Sequence, residues 1–128
     1  MRPAFAAAFL GGGLAAAACF SERAGGPAPT LAECRVPVTV VDSMHFLVAI
    51  RDFAFHPDSI AVPVGATVTW VNCESPLIEP HTTTSDSPGW NSPQFAAGER
   101  YSRRFDAAGV FPYHCEPHPF MLGKVVVQ

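Results

Sequence analysis

The segment Val110–Val127, VFPYHCEPHPFMLGKVVV, sets the terms on which the rest of the chain is read. Its two ends are β-prone. Val110 to His114 reads as one strand, and Gly123 opens a last strand over Lys124 to Val127. The short loop between them spaces Cys115, His118 and Met121 three residues apart. A thiol, an imidazole and a thioether on one loop are a concentration of soft and borderline metal donors. Alternation along a strand sends His114 and Cys115 to opposite faces. With Cys115 turned inward, His114 points away and is not a ligand.

Working back from that segment, the chain keeps producing short strands. Arg100 to Phe105 is followed by a turn at Ala108-Gly109. His81 to Thr84 is a β-prone run, and Ser85 to Gly98 reads as a loop. Thr67 to Asn72 alternates, with Val68 and Trp70 on one face and Thr67, Thr69 and Val71 on the other, so Trp70 is expected at the centre of the core. Ser59 to Val64 reads as a strand after the turn His56-Pro57-Asp58, and His45 to Phe55 as a single strand packed on one face. Val36 to Val41 is an added strand that Pro37 confines to an edge. Thirteen prolines, ten glycines and no 3.6-residue periodicity imply an all-β sandwich or barrel. At 128 residues the chain is long enough for one cored domain and too short for two.

The first residues stand apart. Arg2 precedes an Ala-, Phe- and Leu-rich run from Ala4 to Ala18, so residues 1–18 read as a secretory signal peptide. Residues 19–35 form a Gly/Pro-rich tether or linker, and 36–128 the domain. Small residues before Cys19 fit either a lipid anchor on that thiol or ordinary cleavage nearby; both give an exported, periplasmic protein. With Cys19 in the leader or lipidated and Cys115 on metal, Cys34 and Cys73 remain, and an oxidising compartment favours a disulfide between them over two buried free thiols. Eleven acidic and eight basic residues, with no basic cluster, exclude a nucleic-acid footprint.

The donor chemistry points further. One more imidazole would complete a His₂Cys set with a weak axial Met, the arrangement of blue-copper electron-transfer sites. His81 is the candidate. The site is then His81, Cys115, His118 and Met121 around one ion cycling between Cu(I) and Cu(II). Pro117 and Pro119 stiffen the loop on either side of His118, and Pro80 restricts the chain before His81. Structural zinc is the chemical rival, but it takes four strong donors and rarely a thioether. His45 and His56 read as surface histidines.

At these residues the chain resembles a known group. YHCEPHPFMLGKVVV, from Tyr113 to Val127, is similar to the ligand loop of the amicyanins, within the plastocyanin-like cupredoxins, and shares their short His118-to-Met121 gap. The likeness extends through Phe53-Ala54-Phe55-His56-Pro57, Val64 to Asn72, Pro80-His81-Thr82 and Ala97-Gly98-Glu99. It implies a Greek-key β-sandwich with copper at one end, and a type 1 (blue) copper protein acting as a soluble or lipid-tethered one-electron carrier outside the cytoplasm. The four ligands above follow the family pattern. The resemblance also implies a docking patch around His118, made here of Pro117, Pro119, Phe120 and Leu122, with Leu77 and Ile78 joining it and at least one of Phe120 and Leu122 capping the core. Glu74, Glu79 and Glu116 would give it an acidic rim for a basic redox partner such as a c-type cytochrome; a dehydrogenase or oxidase is the other expected partner, and the protein is expected to be a monomer. Copper storage or delivery on the same fold is the alternative function, an enzyme is not expected, and a Glu116 carboxylate ligand is an outside reading. Two features depart from an amicyanin: the Cys34/Cys73 pair with the loop Cys73 to Pro80, and the segment Ser85 to Ser92.

Overall fold

The computed structural model describes Cys34 and residues 40–128. The expected leader, most of the expected tether and positions 36–39 of the expected edge strand lie outside the described residues. Two four-stranded sheets face each other. The strands are β1 His45–Arg51, β2 Ala54–His56, β3 Ser59–Val62, β4 Thr67–Asn72, β5 Thr84–Ser85, β6 Arg100–Arg104, β7 Gly109–His114 and β8 Leu122–Val127. One sheet runs β2-β1-β4-β6 and the other β3-β8-β7-β5. This is the expected Greek-key sandwich.

Each strand's sequence explains its place. The run Phe46 to Ile50 in β1 is buried throughout, as suits a strand paired on both sides. The sheet ends instead on β6, whose Arg-Tyr-Ser-Arg-Arg sequence is unattractive to a further strand. β1 pairs with β4 in parallel, and so both strands finish at the same end of the sandwich. The loops after them meet the loop after β7 there.

Between the sheets lie Val48, Ile50, Val68 and Trp70 from one side and Ile60, Val62, Tyr113, Val125 and Val127 from the other. Trp70 is fully buried, as its alternation predicts. Its Nε1–H donates to the Tyr113 hydroxyl at 3.0 Å, and the rings meet edge to face, joining the two sheets through the core. Burial pushes the Tyr113 phenol far above its ordinary range, against a smaller opposing pull from Trp70, so it stays neutral. Gly123 sits opposite Tyr113 in the β7–β8 ladder. A Cβ at that position would land in the Tyr113 ring, so only glycine lets the ring lie there.

One strand is not continuous. His45 to Phe55 breaks at Asp52 and Phe53, which both take positive φ, 53° and 54°. Two such residues between paired strands make the tight turn that matches strand twist, and Arg51 faces Ala54 across it. Apolar periodicity ran through the turn because Phe53 is itself aromatic. A left-handed phenylalanine is strained, and what holds it belongs to the site.

Candidate metal centre

Cys115 follows the last residue of β7 and is fully buried. His114 beside it turns outward, as alternation requires, and its Nδ1 meets Asp86 Oδ1 at 2.6 Å. The loop then folds back on itself. Met121 N–H donates to the His118 carbonyl at 2.8 Å, and Cys115 N–H donates to the Met121 carbonyl at 3.1 Å. That ring of backbone bonds closes the turn that seven residues must make between β7 and β8. Met121 lies buried inside it, 2% exposed.

His81 arrives from the loop after β4. Its backbone pairs both ways with Phe95, N–H to O at 3.2 and 3.0 Å, and Asn72 Nδ2 donates to the same Phe95 carbonyl at 3.0 Å. Upstream, a disulfide joins Cys73 to Cys34, the expected pairing. Two bonds stitch the His81 loop to the Cys115 loop: Glu116 N–H donates to Thr82 Oγ1 at 2.8 Å, and Thr82 N–H points at Cys115 Sγ at 3.4 Å. The second aims a fixed backbone dipole at the sulfur and ties the two loops together at the site.

These supports bring three donors together. Cys115 Sγ lies 3.6 Å from His81 Nδ1 and 3.7 Å from His118 Nδ1, and the two nitrogens are 3.2 Å apart. Among the described residues this is the His/Cys/Asp/Glu cluster with metal-binding spacing. A single point in the plane of the triangle is about 2.0 Å from all three atoms, close to ordinary metal–imidazole bond lengths and a little inside a ~2.3 Å metal–thiolate bond. The residues therefore fit one ion in trigonal coordination, softer than a zinc site and with a buried thioether-bearing residue on the same loop.

The remote ring nitrogens are also placed. His81 Nε2 is buried without a hydrogen-bond partner, 3.6 Å from Glu74 Oε1, while His118 Nε2 is 3.6 Å from Glu79 Oε2. Burial first, and the neighbouring His118 second, push the His81 imidazole below its ordinary value, against an upward pull from Glu74. The neutral imidazole, the form that binds metal, is thereby favoured.

Phe53 is the residue that sequence reading missed as part of this centre. Its ring stands edge-on to His118 at 5.1 Å and to His81 at 5.9 Å. Glu74 explains how its strained turn is held, since Glu74 Oε1 accepts the Phe53 N–H at 2.7 Å. No spacing motif marks such a residue. Glu74 differs from expectation as well. Its side chain is only 8% exposed, so it supports the interior of the site and does not belong to an acidic rim. Phe120 and Leu122 both stand open, at 69% and 62%, so neither caps the core.

Comparison with known proteins agrees with this chemistry. The family described as copper binding proteins, plastocyanin/azurin family, matches residues 42–128. Amicyanin of Paracoccus denitrificans is 37% identical over 84 residues, covering 64% of this chain and 64% of its own length. Plastocyanin of Scenedesmus fuscus is 38% identical over 87 residues, 58% of this chain and 86% of its own. A mutant of amicyanin solved in its Cu(I) form superposes with a TM-score of 0.62 at 33% identity, over 80% of this chain and all of that one. The matched part of this chain thus spans just under two thirds of the first of these relatives.

Proposed function

The chain belongs to the plastocyanin/azurin family of copper-binding proteins, and from that premise we propose that it is a type 1 (blue) copper protein that carries single electrons outside the cytoplasm. The observation that carries this reading is the ready-made triangle of one thiol and two imidazole nitrogens. His81, Cys115 and His118 would hold the copper, with the buried Met121 thioether as a weaker fourth donor from the same loop. Copper, when bound, supplies the one-electron couple. The protein's part is to keep the donors where they are in both oxidation states, because any rearrangement adds to the barrier for transfer. The backbone pairing at Phe95, the closed 115–121 loop and the Thr82 cross-links do this.

Electrons leave and arrive on the His118 side. His118 keeps 12% of its side chain exposed while His81 is sealed. Around it Pro117, Pro119, Phe120 and Leu122 form the docking patch, and Leu77, 94% exposed, extends it. Exposed apolar residues beside a redox centre suit a small interface that releases quickly. Glu79 and Glu116 supply negative charge nearby, which attracts a basic redox partner such as a c-type cytochrome, with a dehydrogenase or oxidase on the other side of the relay. The signal-like residues 1–18 and the Cys34–Cys73 disulfide both support export to the periplasm, and Cys19 offers a lipid anchor.

Purified protein given Cu(II) should become intensely blue, with an EPR spectrum showing narrow copper hyperfine splitting. The colour should vanish on reduction and never form in Cys115→Ser. A colourless complex in the native protein would overturn the reading.

A further inference from the structure

We propose that Glu79 is a positioning residue for His118 that holds down the reduction potential of the bound ion from the solvent side. The inference rests on the copper reading above and adds a residue outside the donor set. Glu79 Oε2 lies 3.6 Å from His118 Nε2, the ring nitrogen turned away from the other two donors. That is an ion-pair distance slightly beyond hydrogen-bond reach. Glu79 is 80% exposed, so a small rotation about its own bonds closes the gap.

The chemistry of imidazole fixes the polarity of this contact. A neutral ring carries one N–H, so committing Nδ1 to an ion leaves Nε2 as the donor. A carboxylate facing that N–H makes the ring a stronger base and orients it. The oxidised site carries one more positive charge than the reduced site, so the Glu79 carboxylate stabilises the oxidised form more. The backbone keeps Glu79 in place. Pro80 restricts its φ and ψ, and a turn closed by Ile78 N–H to the Ser75 carbonyl, 2.9 Å, delivers the chain to it. Glu74 stands at the same distance from His81, but it is buried and tied to Phe53. Glu79 instead stands on the face a redox partner would cover.

The test is potentiometry on the copper-loaded protein and two variants. Glu79→Gln keeps the shape and removes the charge, and Glu79→Lys reverses it; exposure of the side chain keeps both foldable. Glu79→Gln should move the Cu(II)/Cu(I) equilibrium toward Cu(I) by about threefold, roughly 30 mV at 59 mV per tenfold, and Glu79→Lys should move it further. Direct titration should show the ratio of Cu(II) to Cu(I) affinity changing by the same factor, as a closed cycle demands. Blue variants with an unchanged or lowered potential overturn the role of Glu79 and leave the copper site standing. A native protein with no blue band overturns the site reading and this proposal with it.

Discussion

His81 and His118 present the same atom to the same point and each faces a glutamate across 3.6 Å, yet their surroundings are opposites. His81 is sealed, paired through its backbone to Phe95, and its glutamate is buried and anchored. His118 keeps an exposed edge, sits between two prolines, and faces a glutamate standing in solvent. The difference divides the work. In the proposed electron carrier the upstream loop would exclude water and fix the geometry, while the downstream loop would bring one ligand edge to where an electron can cross. A single rigid shell could not do both, because complete burial would lengthen the transfer path and complete exposure would let water compete for the ion.

Removing each imidazole is the strongest way to break the comparison. His81→Gly and His118→Gly should both abolish the blue band, but added imidazole should restore it only in His118→Gly, where the vacated space opens to solvent. Equal rescue of both variants would show that the two sides are not different. Next in size is the disulfide. Cys34→Ser with Cys73→Ser should cost about 2–5 kcal/mol in denaturant unfolding, and amide exchange should quicken in residues 73–81 while 115–121 stay protected. A uniform loss of protection would mean that the disulfide supports the whole fold and not the buried side of the site.

Thr82→Val cuts the seam between the loops. It leaves the Glu116 N–H without its acceptor at little change in shape, so about 1–3 kcal/mol of stability should go. Thermal unfolding of the metal-free variant would check it, and an unchanged midpoint would show the seam to be idle. The smallest effect is acid sensitivity. His81 titrates below 6.5 in the fold and near 6.5 when unfolded. As pH falls from about 6.5 toward the folded value, the unfolded chain takes up the proton first and the metal-free fold loses stability; above that window the contribution is fully present. The fall in melting temperature on acidification should be smaller in His81→Gln, and an identical fall would refute the assignment to His81.

Much of this was legible beforehand. Six of the strands stand within a few residues of their β-prone runs, because the β-branched and aromatic residues that favour a pleated, packed surface are visible in composition. Cys115, His118 and Met121 were visible together because one short loop carries all three, and the cysteine pairing followed from having only two thiols left to join. Phe53 was invisible for the opposite reason. Its place depends on a left-handed turn that apolar periodicity hides and on a carboxylate 21 residues away in sequence. Glu74 and Glu79 looked alike as charges, five positions apart on one loop. Only packing made one interior and the other exposed.

The sequence by itself determined the all-strand character of the chain and pointed to the candidate donors, since β-propensity and side-chain chemistry are local properties of the chain. The tertiary structure decided which histidine is closed and which is open, which glutamate faces each, and what aromatic ring leans on both. Those are questions of what lies across a gap once parallel β1 and β4 end side by side, and distance through space is not encoded in any single stretch of residues.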